Sequence, residues 1–314
     1  MDFAKARTME AQIDQPVEPM TPGEALELAA CTGPEDRPAP GNGLAEALQM
    51  AVRTDAGEVR PDNEDAVFGD AALGLAILAD GMGGYRAGEV ASGMATALLA
   101  QSLVATLDDR EPQQFDADGE RVAHRQLRER IERANAEIYF AAQSEPQYYG
   151  MGTTLVVAWF YDNMVTLAHL GDSRAYRLRG NLFERLTHDH SLLQQQLDSG
   201  IISAEEARFS RSKNLVTRAL GVDLTVEPEI RDFSVRPGDV YLLCSDGLND
   251  MVGDVEIAAA MRALAGDPAA AAQRLVQMAN ENGGRDNISV ILVRVRGEFP
   301  ASAGWWQDLR AGFG

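Results

Sequence analysis

Short apolar runs bounded by turn residues recur along the chain from residue 49 onward, at 50–53, 73–79, 154–160, 165–170, 175–178, 240–244 and 288–295. Runs of this length, rich in Val, Leu and Ile, predict strands. Tyr161-Asp162-Asn163 and Arg179-Gly180-Asn181 fall at the ends of such runs and predict hairpin turns. A helical period appears at 89–107 and again at 119–143, where Arg and Glu pair at i,i+3 and i,i+4 spacing. Two further helices are predicted at 255–264 and 269–280, the second beginning behind Pro268. Strands and helices in separate blocks predict an α+β domain whose antiparallel sheets are covered by helices.

Two kinds of segment depart from this pattern. Residues 188–214 are polar with local helical character, sit between strand-like regions, and predict a flap. Six of the 13 prolines fall in the first 40 residues, which predicts an N-terminal tail over 1–45 with a short helix at 24–30. The body then spans 46–297, and 298–314 form a C-terminal tail carrying Trp305-Trp306.

Composition narrows the function classes. Lys and Arg number 28 against 48 Asp and Glu, a net charge of −20. Nucleic acid and anionic membrane are bound by neutralising phosphates, so both are disfavoured as partners. Cys31 and Cys244 are too few for a disulfide framework and fit a reducing compartment. The N-terminus lacks the apolar stretch of a signal peptide, and the expected location is cytoplasmic. Residues 90–107 carry no charge but include Ser92, Thr96, Gln101 and Ser102, so a buried helix is expected there and not a membrane span.

The candidate chemistry lies in the aspartates. Apolar runs end at Asp80-Gly81, at Gly171-Asp172 and at Asp246-Gly247; Asp286 directly precedes another run, and Glu64-Asp65 precedes the short run 66–68. Asp-Gly is a common hairpin signal, and any one of these sites alone reads as a turn. Asp80-Gly81 and Asp246-Gly247, however, lead into helical sequence, so they are strand-to-helix corners. Carboxylates gathered at neighbouring strand ends repel one another unless a cation neutralises them. An oxygen-only ligand set selects Mg²⁺ or Mn²⁺ over zinc, and two such ions can orient in-line attack on phosphorus. Arg60, beside the acidic pair, is either a solvated loop side chain or a bidentate grip on a phosphate.

Other chemistries find little support. Arg86 stands where a dinucleotide fingerprint needs its last glycine, and no phosphate-binding Gly-Lys-Ser/Thr loop is present. His188-x-His190 lacks partners at metal-ligand spacing and reads as polar loop. Cys244 lies inside an apolar run, and Ser173 has no triad partners nearby.

The ordered motifs R-x-x-N-E-D (Arg60–Asp65), D-G-M-G-G (Asp80–Gly84), G-x-G-T-T (Gly150–Thr154), G-D-S-R (Gly171–Arg174), T-x-D-H-S (Thr187–Ser191), S-D-G-L (Ser245–Leu248) and D-N-I-S (Asp286–Ser289) resemble those of the type 2C metal-dependent protein phosphatases, the PPM superfamily, and of its bacterial members in particular. The resemblance covers about residues 49–295. It implies a four-layer αββα sandwich, and a phosphoserine/phosphothreonine phosphatase using Mn²⁺ or Mg²⁺, two ions tight and a third weak. By motif, Asp80 resembles the bridging ligand, with the Gly81 carbonyl on the second ion and Glu64 or Asp65 its acidic partner. Asp246 and Asp286 resemble ligands of the first ion, Asp172 resembles the residue that with Asp246 holds the third, and Arg60 resembles the arginine that binds the substrate phosphate. Met82 stands where many eukaryotic members have histidine, which leaves the proton donor to the leaving group open. The implied partners are phosphorylated proteins and a cognate Ser/Thr kinase, acted on by a monomer. A phosphopeptide-binding pseudoenzyme is the second reading, opposed by the full set of acidic positions; a nucleotide phosphohydrolase is the third, opposed by the charge and the missing nucleotide motifs.

Overall fold

A computed structural model describes residues 43–84, 86–105, 112–207 and 215–300. The expected helix at 24–30, Cys31, the Trp305-Trp306 pair and the end of the flap lie outside these residues. The described chain runs α1 (Gly43–Ala47), β1 (Leu48–Asp55), β2 (Asp65–Asp70), β3 (Leu75–Met82), α2 (Ala87–Ala105), α3 (Val122–Ser144), β4 (Gly152–Thr153), β5 (Leu155–Tyr161), β6 (Met164–Leu170), β7 (Arg174–Arg179), β8 (Leu182–Arg185), α4 (Leu192–Asp198), α5 (Ala204–Ala207), β9 (Glu229–Ser234), β10 (Val240–Cys244), α6 (Asp246–Asn249), α7 (Asp254–Ala263), α8 (Pro268–Glu281) and β11 (Ile288–Val295).

The strands form two antiparallel sheets. One has the order β1-β11-β10-β7-β8, the other β2-β3-β5-β6-β9 with β4 paired to the end of β3. Side-chain alternation at period 2 assigns each face. Tyr241 and Leu243 of β10, with Ile291, Val293 and Val295 of β11, enter the core between the sheets. Val240, Leu242 and Cys244, with Ile288, Val290 and Leu292, point the other way onto α7 and α8. Every residue of β5 is buried, because its sheet is covered by helices on one face and by the other sheet on the opposite face. The fold is the expected α+β sandwich of four layers.

The helices follow from the same burial. In α3, Ala123, Leu127, Ile131, Ala134, Ile138 and Ala142 recur at three- and four-residue steps on the buried side. Helix α2 shows no such stripe; it is small and apolar nearly all round (Ala91, Gly93, Ala95, Ala97, Ala100) and lies between β3 and α3. The uncharged 90–107 run is thus a covered helix as far as it is described, and no helix among the described residues is long and apolar enough to cross a membrane.

The hairpin turn at Asp162-Asn163 has φ of 44° and 54°, and Gly180 has φ of 57°, the left-handed geometry that tight hairpins require. Residues 43–47 form a helix in which Leu44 and Ala47 are buried, and Arg296 N donates to Ala47 O at 2.6 Å. The flap leaves β8 at Leu186, carries α4 and α5, and is rooted by Leu192 N to Leu215 O (2.8 Å) and Thr217 N to His190 O (2.7 Å).

Candidate active site

Strand β3 delivers Asp80 at its C-terminal end, directly opposite Asp65 in the β2–β3 register. Two like charges facing each other across a ladder are unfavourable without a counter-charge. The crossing here is tight. A Cβ on Gly81 would stand 2.2 Å from Gly88 O and 2.5 Å from Glu64 O, so the backbones of β3, the β2 entry and α2 meet with no room for a side chain. Gly247 behaves alike, its added Cβ falling 2.0 Å from Asn287 O. The glycines after Asp80 and Asp246 therefore serve close backbone approach and not a hairpin turn.

The Asp80 backbone is held by β4 and the start of β5. Asp80 N donates to Thr154 Oγ1 (3.1 Å), Thr154 N to Asp80 O (2.9 Å), and Thr153 Oγ1 to Asp80 O (2.9 Å). Asn287 ties the remaining loops. Its Oδ1 accepts from Glu64 N (2.8 Å), and its Nδ2 donates to Ala56 O (3.0 Å) and Asp62 O (2.9 Å). Ser245 Oγ donates to Asp65 Oδ2 at 2.8 Å. These supporting side chains had no role assigned from sequence. Their sequence signal is membership of the quoted motifs, Thr153-Thr154 in G-x-G-T-T, Ser245 in S-D-G-L and Asn287 in D-N-I-S.

Seven of the eight candidates line one cleft of about 220 Å³: Arg60, Glu64, Asp80, Gly81, Asp172, Asp246 and Asp286, with Met82 and Val216 at its border. Asp65 is the exception, half-buried in β2 opposite Asp80. Its Oδ1 atom is shielded from solvent and has no hydrogen-bond partner. Arg60 Nη2 lies 2.8 Å from Asp286 Oδ2, with the guanidinium half exposed.

Burial and mutual repulsion dominate the electrostatics. Burial, then Asp65 and Asp246, pushes the Asp80 carboxyl well above the ordinary range. Burial, then Asp172 and Asp250, does the same to Asp246. Asp65 and Asp172 are each raised to about 6, both mainly by burial. Burial raises Glu64 too, against the opposing pull of Arg60. Such a group either holds protons or holds cations. An oxygen-only donor set with an unpartnered buried carboxylate oxygen fits a hard divalent ion.

Two other sequence expectations meet the structure differently. Cys244 is buried in the helix-facing core and its thiol is pushed up to about 12 by burial, as a packing residue. His188 does sit in an exposed loop, 2.7 Å from Asp198. His190, expected in polar loop, is instead buried and stacked on His169, with ring centroids 4.7 Å apart. Its partners come from β6 and β9, far away in sequence.

The protein phosphatase 2C family matches residues 53–290. The serine/threonine protein phosphatase PstP of Mycobacterium tuberculosis is 41% identical over 248 residues, covering 79% of this chain, while the chain spans only 45% of that relative's length. The serine/threonine phosphatase stp of Listeria monocytogenes is 39% identical over 249 residues, covering 78% of this chain and 95% of the relative. Among solved structures, M. tuberculosis PstP/Ppp superposes with a TM-score of 0.72 at 39% identity, covering 80% of this chain and 99% of that one. The PstP catalytic domain in complex with two manganese ions gives a TM-score of 0.69 at 39% identity, with the same coverage.

Proposed function

Because the chain belongs to the protein phosphatase 2C family, we propose that it hydrolyses phosphoserine and phosphothreonine in proteins, with Mn²⁺ or Mg²⁺ at the acidic cleft. The observation that carries this reading is the convergence of Asp80, Asp172, Asp246 and Asp286 with Arg60 on one cleft. The two manganese ions in the similar PstP catalytic domain support it. Asp80, the Gly81 carbonyl, Glu64 or Asp65, Asp246 and Asp286 would together hold two ions, with Asp80 central among them. Asp172 with Asp246 would hold a third, weaker ion. When bound, the ions supply Lewis acidity and an acidified water for in-line attack.

The chain's own residues do the rest. Asp286 orients Arg60 by their 2.8 Å ion pair. The Arg60 N–H groups left free can then hold two phosphate oxygens in parallel. Thr153 and Thr154 fix the Asp80 backbone, so the carboxylate stays at the cleft floor when protons are exchanged for cations. The flap root brings Val216 to the cleft edge, where the polypeptide around the phosphorylated residue must pass. Met82 at the same edge has no proton to give, so the chain supplies no histidine acid at that point.

On this reading the catalytic domain is 46–297 and acts in the cytoplasm, as a monomer, against the products of a cognate Ser/Thr kinase. Steady-state hydrolysis of a phosphothreonine peptide, an aryl phosphate and a nucleotide, each with Mn²⁺, tests it. The peptide should be turned over with the highest kcat/KM. Peptide binding without turnover would favour the pseudoenzyme, and nucleotide preference would favour a nucleotide phosphohydrolase.

A further inference from the structure

A second cluster of potential ligands lies away from the acidic cleft floor. His169 of β6 and Glu229 of β9 face each other in register. The chain returns through the flap root to lay His190 on His169, the rings nearly parallel at 17°. One ligand atom from each of His169, His190 and Glu229 lies within 4.8 Å of the others. Both imidazoles are buried, His169 at 3% exposure and His190 at 7%. His190 Nε2 has no hydrogen-bond partner and faces Glu229 Oε2 at 3.6 Å. A buried ring nitrogen without a partner calls for an explanation.

We propose that His169, His190 and Glu229 form a separate metal site, for a borderline divalent cation such as Zn²⁺, that ties the flap root to β6 and β9. Two imidazoles and a carboxylate are a zinc-type donor set, unlike the oxygen-only cleft. One hydrogen bond and one ion pair already orient two ligands. His169 Nε2 donates to His188 O at 2.9 Å, which leaves Nδ1 with the lone pair, the backbone-carbonyl arrangement found behind metal-binding histidines. Arg231 Nη2 forms an ion pair with Glu229 Oε1 at 2.6 Å, without hydrogen-bond geometry, and leaves Oε2 toward His190. The Glu229 side chain is 25% exposed and gives the ion a way in.

Filling the site requires movement. Ligands of a tetrahedral zinc stand about 3.4 Å apart, so the cluster must contract, with the partly exposed Glu229 the freest to move. His190 must also carry its proton on Nδ1, and Gly171 N, which donates to that atom at 3.3 Å, loses its acceptor. Gly171 precedes Asp172, so loading this site loosens the corner that presents Asp172 to the cleft.

The test is a calorimetric Zn²⁺ titration of the full chain saturated with Mn²⁺, for wild type, Glu229→Gln and His190→Ala, with circular dichroism to confirm folding. Glu229→Gln keeps the side-chain size at a partly exposed position and guards against a His190 variant that fails to fold. Wild type should bind one Zn²⁺ that Glu229→Gln weakens at least tenfold. Cobalt(II) in its place should give the visible bands of a tetrahedral nitrogen–oxygen site in wild type only. No Zn²⁺ binding under Mn²⁺ saturation, or binding equal in wild type and the folded Glu229→Gln, overturns the proposal.

Discussion

Replacing Asp172 by asparagine should stabilise the metal-free protein while impairing turnover. Its carboxyl is raised from 3.8 to about 6, by burial first and by Asp189 second. A buried acid raised in this way binds its proton more tightly folded than unfolded, so stability falls as pH climbs between the two values. The cost of ionised Asp172 is nil well below pH 4, about 1.5 kcal/mol at pH 5 and about 3 kcal/mol at pH 7.5. Asparagine keeps the shape and removes the charge, although its amide pays part of the gain back through its own burial. At roughly 2–4 °C per kcal/mol for a domain of this size, Asp172→Asn in excess chelator should melt at least roughly 3 °C higher at pH 7.5. The advantage should be about half as large at pH 5. With Mn²⁺ the same variant should keep two tight ions and lose much of its phosphopeptide turnover. A lower melting temperature at both pH values, or a rise independent of pH, would refute the reasoning and make Asp172 a structural turn residue.

Arg60→Ala should raise KM for a phosphopeptide more than it lowers kcat, and Arg60→Lys should recover little, because a point charge cannot reproduce two parallel hydrogen bonds; a loss confined to kcat in steady-state kinetics contradicts this. Gly247→Ala places a Cβ 2.0 Å from Asn287 O. It should cost roughly 3 kcal/mol or more in urea unfolding, and a change within about 0.5 kcal/mol would show that the two loops are not packed as described.

The interior strands were legible because burial on both faces leaves a mostly apolar run, unbroken in Leu155–Tyr161 and interrupted in Ile288–Val295 by Ser289 and Arg294. Of the edge strands, β1 showed its 50–53 portion, but others did not stand out. Glu229–Ser234 and Leu182–Arg185 are half exposed and charged, as edges tend to be, and their sequences look like loop. Asp65–Asp70, the fourth edge, showed only its 66–68 portion. The acidic centre was legible for a local reason: Asp80-Gly81 and Asp246-Gly247 sit where a strand turns into a helix, which a hairpin signal does not explain. The His190 environment is the opposite case. Its neighbours His169 and Glu229 are brought together by the β6–β9 register and the return of the flap, and no spacing along the chain encodes that meeting. Asn287 and Ser245 act through side-chain hydrogen bonds to Ala56, Asp62, Glu64 and Asp65, far away in sequence, which a linear reading cannot pair.

The central claim is that the repelling carboxylates of the cleft are a cation site that performs the hydrolysis. Its most direct test is a Mn²⁺ titration of the chelator-stripped chain, counting bound ions by calorimetry and following phosphopeptide hydrolysis in the same samples, for wild type and Asp80→Asn. Wild type should bind two tight ions with activity that rises with their occupancy, and a folded Asp80→Asn protein should lose tight binding and activity together. Full hydrolysis in excess chelator, or an Asp80→Asn protein with both ions and unchanged turnover, would contradict the claim.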